Sequence, residues 1–343
     1  MLRFRLGAGV IALSLVTAAC GGGGGGEPRR MGPEKIKVGL LLDSLVEERW
    51  QRDRDLFIER AQQLDAEVIV KAANRDAALQ EQQGRELLEQ GVKALVIVAA
   101  DTEKAASIVA EAKAKNVPVI SYDRLIREAD EDLYVSFDNV KVGRMQAEYL
   151  LNKAPKGNYL LIGGSPTDYN AKLLRQGQLE MLKPAIAAGS VKLVGEGWAE
   201  NWSEESAKAL TQEALKKTRN NLAAIVASND RTAAGAVEAL TEAKLAGKVF
   251  VSGQDAELAA MKRIVAGTQT MTVYKPLRPL ARMAAGAAVN LAKGEVEEGV
   301  VAVNNGKKDV PARLLEPISV DKDSMDRTVI ADGYHQRNDV YGQ

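Results

Sequence analysis

From Lys35 onward the chain alternates short apolar runs with amphipathic stretches of helical length, and few folds accept that rhythm. The runs fall at 38–42, 68–70, 94–100, 117–120, 159–163, 191–194, 222–227 and 249–252. Between them, 48–64, 77–90, 103–115, 140–151, 171–182, 204–217 and 232–246 read as amphipathic helices. Strands that are apolar almost throughout need cover on both faces, so the pattern predicts parallel sheets with helices on each side. Gly91, Gly195 and Gly247 follow helices or adjoin strands, where a left-handed cap or a close approach is useful.

At 343 residues the chain is too long for one ordinary core and comfortable for two lobes. A first unit, 35–137, holds about five strands, and a second begins at Gly157 with the same rhythm. No Pro- or Ser-rich linker separates them, so the lobes are expected to be joined by crossing strands. The late segments 271–274 and 300–303 are expected to carry the chain between lobes, leaving each lobe discontinuous.

Lys plus Arg and Asp plus Glu both total 46, so no net field favours nucleic acid or an acidic ligand. One cysteine, Cys20, and one histidine, His335, exclude a Cys/His zinc cluster and a disulfide framework. His335 lies in a polar tail and is expected to be a solvated surface residue. Arg3 and Arg5 precede the short apolar stretch 6–16, and Thr17-Ala18-Ala19 leads into Cys20. That stretch resembles the lipobox of bacterial lipoproteins, although Thr17 stands where they prefer Leu or Val. The resemblance implies a signal peptide over 1–19 and a lipid on Cys20. Residues 20–34, with glycines at 21–26, would form a flexible tether. An ordinary signal peptide with an incidental cysteine is the alternative.

Most of the predicted strands end in a polar residue. In open parallel sheets ligands bind just beyond the carboxyl ends of strands, so these groups are expected to line one crevice. Glu48-Arg49-Trp50 follows the first strand. A guanidinium beside an indole suits a sugar, because the ring stacks on its C–H face while Arg donates paired bonds to hydroxyls. A core anchor beside a solvated arginine fits the same residues equally well. Tyr122-Asp123-Arg124 brings opposite charges out at a strand end, either to hold ligand hydroxyls or to close a turn as an ion pair. In Ser228-Asn229-Asp230 and Ser252-Gly253-Gln254-Asp255, the expected ligand groups are Asn229 and Asp255, with Asp230 as a helix N-cap. Lys275 is a ligand donor, a counter-ion for a carboxylate such as Asp255, or both. Gly163-Gly164-Ser165-Pro166 fits no phosphate-loop spacing and reads as a strand-to-helix turn, with Asn170 and Lys172 just beyond it. Of Trp198 and Trp202, one is placed to stack on a ligand and the other to pack. No feature singles out an acid/base couple for glycoside hydrolysis.

These motifs carry a resemblance. Glu48-Arg49-Trp50-Gln51, Tyr122-Asp123-Arg124, Val135-Ser136-Phe137-Asp138-Asn139, Gly163-Gly164-Ser165-Pro166, Ala227-Ser228-Asn229-Asp230 and Ser252-Gly253-Gln254-Asp255 are among them. So are the run from Gly267 to Pro276 and Asn304-Asn305-Gly306 with Asp309-Val310-Pro311. Over residues 35–335 the chain resembles the D-xylose-binding proteins of bacterial ABC sugar transporters. The resemblance implies a type I periplasmic-binding-protein fold, α/β, with two doubly wound parallel-sheet lobes joined by a three-segment hinge. Its lobes would be 35–140 with 276–315, and 141–275 with 316–343. The implied sugar contacts are Arg49, Trp50, Asp123, Arg124, Asn170, Trp202, Asn229, Asp255 and Lys275, which selects Trp202 over Trp198. Lys172 matches a ligand arginine of ribose-type relatives. The implied role is capture of D-xylose outside the cytoplasm and delivery to a membrane permease. It needs no catalysis, cofactor, metal or nucleic acid, and suits a monomer. The family's best-known members are soluble in the periplasm, whereas Cys20 implies a lipid-anchored form. The rivals are the same fold binding another pentose or a signalling sugar, a carbohydrate-active enzyme, and a sugar-responsive regulator. The last would need a helix-turn-helix where this chain carries an export signal.

Overall fold

The computed structural model describes residues 35–296 and 301–342. The expected signal peptide, Cys20 and the glycine tether lie outside the described residues.

The first sheet starts with β1 (Ile36–Leu42), β2 (Ala66–Ala72) and β3 (Ala94–Ile97), all parallel, with Val38 opposite both Val68 and Ala94. β4 (Val119–Tyr122) and β5 (Leu133–Phe137) extend it. The connecting helices are α1 (Glu48–Gln63), α2 (Ala77–Glu89) and α3 (Ala106–Ala114). Successive strand residues face opposite ways, so both layers fill. Leu40, Leu42 and Val96 pack with Trp50 and Phe57 of α1, while Leu41, Leu95 and Ile97 pack with Leu87 and Ile108 of α2 and α3.

The chain then enters α4 (Asn139–Lys153), whose first turn is capped by the Asp138 carboxylate accepting from Lys141 N at 2.9 Å. β6 (Gly157–Gly163), α5 (Tyr169–Ala187), β7 (Val191–Trp198), α6 (Glu204–Thr218), β8 (Ala224–Ala227), α7 (Asp230–Glu242) and β9 (Phe250–Val251) repeat the earlier rhythm. The second sheet has the order β7-β6-β8-β9. In the first, β2-β1-β3-β4 is the same order, so each lobe reverses strand direction of travel beside its first strand. Such switch points open a crevice at the strand ends.

After α8 (Leu258–Val265), β10 (Thr272–Tyr274) ends at Lys275, and α9 (Leu277–Ala292) returns to pack on the first sheet through Ala281, Ala284, Ala285 and Ala288. β11 (Val301–Asn304) and β12 (Asp309–Leu315) form an antiparallel hairpin, and β12 adds to the first sheet beside β5. β13 (Ile318–Val320) then pairs with β10, and α10 (Arg337–Tyr341) closes the described chain. The chain thus passes between lobes at 137–139, 274–277 and 315–318.

The expectation that 300–303 crosses between lobes is incorrect. Val301–Asn304 is the edge strand of a hairpin within the first sheet, and the return crossing follows β12. The apolar alternation there serves a hairpin partner rather than a spanning strand.

Candidate functional site

The carboxyl ends of β1, β4, β6, β8 and β9 face one narrow cleft. All nine side chains expected from the sequence line it: Arg49, Trp50, Asp123, Arg124, Asn170, Trp202, Asn229, Asp255 and Lys275. Glu47, Asn139, Asp168, Leu174 and Gln254 line it as well.

Arg49 enters from the first turn of α1 and is buried. Its Nη2 donates to Asp123 Oδ2 at 2.9 Å and its Nη1 to Asp255 Oδ1 at 3.2 Å, joining carboxylates of the two lobes. Asp53 receives Nε and Nη2 at 3.3 Å. Burial works against the Arg49 charge, but Asp123, Asp53 and Asp255 outweigh it and hold its proton more tightly than usual. Lys275 Nζ stands 3.4 Å from Asp123 and 3.6 Å from Asp255. It is therefore at least a counter-ion of both. Burial pushes the Asp123 carboxyl up, yet Arg49, Lys275 and Arg124 overcome that and hold it below its ordinary range. Asp53, bonded to the Tyr122 hydroxyl, is pushed by burial up to about 6 despite Arg49.

Arg124 reads from its guanidinium into both lobes. Nη1 donates to Asp43 at 2.8 Å and to Ala99 O at 2.7 Å, while Nε pairs with Asp168 across the cleft at 2.8 Å. Asn170 Nδ2 reaches Asp123 O at 2.9 Å and Oδ1 at 3.1 Å. Trp50 faces the Arg49 guanidinium at 4.1 Å from the ring centre and joins the core, so the core-anchor alternative holds for the indole, but the arginine beside it is buried rather than solvated.

Trp202 lines the cleft, with its Nε1 3.3 Å from Asp168 Oδ2, whereas Trp198 lies 39% exposed under the Arg175 guanidinium. A glycine makes room for the indole: a Cβ on Gly164 would lie 2.2 Å from Trp202 Cη2. Lys172 stands outside the cleft lining, 3.8 Å from Glu103.

Two expectations need correction. Asp230 is not the N-cap of α7. Asn229 is, with its Oδ1 accepting from Thr232 N at 2.8 Å in a capping box. Asp230 is wholly buried instead, accepting from Gln269 Nε2, Thr272 Oγ1 and Glu257 N. The cap uses only the oxygen of the Asn229 amide. His335 is not solvated either. It is buried, and its Nε2 donates to Ala256 O at 2.7 Å. A carbonyl deep in the Asp255 loop needs a donor, and the tail supplies it.

Sequence reasoning assigned no role to Asp168, Asn139 or Gln254. Asp168 had a signal, since it caps α5 by accepting from Asn170 N at 2.9 Å directly after the Gly163-Gly164 turn. Among the described residues, Asn139 Nδ2 and Oδ1, Asn170 Oδ1, Gln254 Oε1 and Asp43 Oδ1 are buried without a hydrogen-bond partner. A cleft whose charges already neutralise one another, with spare amide and carboxylate oxygens, suits a neutral polyhydroxylated ligand.

The profile of the periplasmic binding protein domain matches residues 38–296. The chain belongs to the periplasmic binding protein family. This family member is 49% identical over 306 residues to the D-xylose-binding periplasmic protein of Haemophilus influenzae, covering 89% of this chain and 92% of that one. It is 47% identical over 307 residues to the D-xylose-binding periplasmic protein of Escherichia coli, covering 90% and 93%. A carbohydrate transporter solute binding protein from Chloroflexus aurantiacus, solved with D-glucose, superposes with a TM-score of 0.83 at 32% identity, covering 90% and 98%. The fold is that of a type I periplasmic binding protein. Among the described residues, no helix is long and apolar enough to cross a membrane.

Proposed function

We propose that the protein captures D-xylose in the cleft between its lobes and delivers it to the membrane permease of an ABC transporter. The sugar would be gripped by Arg49, Trp50, Asp123, Arg124, Asn170, Trp202, Asn229, Asp255 and Lys275. One observation carries the reading: side chains of this kind from both lobes line a single cleft, in a chain 49% identical to a D-xylose-binding periplasmic protein.

The action is binding and closure, without chemistry on the sugar. Each buried hydroxyl bond contributes about 0.5–1.5 kcal/mol net, and somewhat more to a charged partner. Selectivity then comes from the penalty for leaving one of these groups unpaired, so an added hydroxymethyl or a missing hydroxyl is rejected. Because the sugar touches both lobes, it favours the closed form by its differential affinity for that form, and the permease engages that form. The lobes comprise 35–140 with 276–315 and 141–275 with 316–343. Cys20 carries the lipid that holds the protein, as a monomer, at the outer side of a membrane.

A thermal-shift panel of pentoses and hexoses tests this on protein lacking residues 1–26. D-xylose is expected to raise the midpoint most, and Asp255→Ala or Asn229→Ala to abolish the rise while the sugar-free protein stays folded. A larger rise with D-glucose would shift the ligand to a hexose, and product formed from a xyloside would point to an enzyme.

A further inference from the structure

Asn139 is 2% exposed, lines the cleft, and neither atom of its amide has a hydrogen-bond partner among the described residues. A buried amide in that state costs free energy in the sugar-free protein, and native structures rarely keep one without use. Local structure does not require it. Asp138 caps α4, so the Asn139 side chain adds nothing to the helix start. The nearby Tyr134 hydroxyl donates to Asp123 O at 3.1 Å; burial raises its pKa, with Ser136 and then Asn139 opposing, but the amide and the hydroxyl are not in hydrogen-bond geometry. Leu174, which also lines the cleft, has no polar side-chain atom to offer the amide.

We propose that Asn139 is a further specificity-determining contact, whose amide pairs with one hydroxyl of the bound sugar at the first crossing between the lobes. An amide presents a donor and an acceptor, and a hydroxyl is both, so the pair satisfies each side. Asn139 begins α4 immediately after β5, in the segment through which lobe closure must pass. A hydroxyl held there ties recognition to the hinge rather than to either lobe alone. The inference rests on the sugar-binding reading above.

The test pairs Asn139→Leu with D-xylose and its monodeoxy analogues in calorimetric titration, alongside melts of the sugar-free proteins. The variant is expected to bind D-xylose at least about tenfold more weakly, since a buried hydroxyl then loses its partner. Its sugar-free midpoint is expected to equal or exceed that of the parent, because the unpaired amide is gone. Removing one particular hydroxyl should weaken binding to the parent and leave binding to the variant unchanged, which a structural role would not produce. Unchanged D-xylose affinity in the variant overturns the inference. So does equal weakening of parent and variant by every deoxy sugar. If the variant unfolds, Asn139→Ser in the same titrations decides the same coupling. Failure of the parent itself to bind D-xylose sinks the functional reading instead, and the panel sugar that does bind then tests Asn139 in the same way.

Discussion

Asp123 and Asp255 occupy equivalent points of two repeated sheets and share one guanidinium between them. Each follows the fourth strand of a β2-β1-β3-β4-type order, and each donates its backbone N–H to the neighbouring strand, to Val135 O at 2.8 Å and Val273 O at 2.9 Å. Both backbones are left-handed, with φ of 63° and 95°. Such strain persists only where the surroundings enforce it and the site uses it. Here it turns two carboxylates from opposite lobes onto Arg49.

Arg49 cannot be replaced by another cation. Its three nitrogens serve Asp53, Asp123 and Asp255, and a lysine offers one point charge on a flexible stem. Arg49→Lys should weaken D-xylose binding by about a hundredfold or more and lower the sugar-free midpoint by several degrees, since buried carboxylates lose their partner. Titration calorimetry with melting curves checks it. Affinity within about threefold of the parent would show that the fork geometry is dispensable.

Gly164→Ala tests the stacking role proposed for Trp202. The backbone of Gly164 is ordinary, so alanine adds no torsional strain, but its Cβ would sit 2.2 Å from the Trp202 indole. The ring must leave its place over the cleft. Binding should fall at least about tenfold, in line with the loss of an aromatic face, while the melting midpoint of the sugar-free protein changes little. Tryptophan emission on titration reads the displacement, and an unchanged emission response would contradict it.

The strand rhythm made the lobes legible because parallel strands buried on both faces are apolar almost throughout, as 94–97 and 224–227 are. The polar residues after those strands then marked the cleft. Other elements hid for physical reasons. α9 packs on the sheet through alanines, whose small side chains allow close approach but do not mark a buried face by their bulk. Asp230 and Asn229 are adjacent and both cap-competent; which one caps depends on Gln269 and Thr272, 39 and 42 residues away. His335 looked solvated because its neighbours are polar, yet its partner Ala256 lies 79 residues away.

Acidity offers a third test. Burial, with repulsion from Asp255, pushes the Asp230 carboxyl from 3.8 up to about 7, although Arg263 and the bond from Gln269 oppose it. Burial and the neighbouring Asp230 push Glu257 from 4.5 up to about 8. Both folded values lie above the unfolded ones, so the folded state binds more protons between them. The stability these groups add is complete below about pH 4 and falls as pH rises towards 7 and 8. The sugar-free midpoint should therefore drop between pH 6 and pH 8.5, and Asp230→Asn should flatten that drop by removing one group and relieving the other. A wild-type midpoint that is level or rising over this interval would contradict the assignment.

His335 supplies the last prediction, because it touches the sugar cleft nowhere yet holds the loop that builds it. Its Nε2–H donates to Ala256 O at 2.7 Å, and Ala256 follows Asp255 in a second left-handed turn of the backbone, φ 53°. Two successive strained residues relax unless something fixes them, and relaxation would swing the Asp255 carboxylate away from Arg49. Burial and the adjacent Arg52 hold the His335 pKa below 6.5, so the ring stays neutral at neutral pH and keeps its lone pair towards the Arg52 guanidinium, 3.4 Å away. The folded value being the lower one, the stability His335 contributes is present above 6.5 and is lost as pH falls through the folded value. His335→Ala should accordingly weaken D-xylose binding by about three- to tenfold through a faster release, consistent with the loss of one buried hydrogen bond that positions another group. His335→Gln, which can still donate to the carbonyl, should recover most of that loss and remove the acid-side decline. Stopped-flow release rates for the two variants between pH 5 and pH 7.5 decide it: equal rates in His335→Ala and wild type would mean that the loop keeps its shape without the ring.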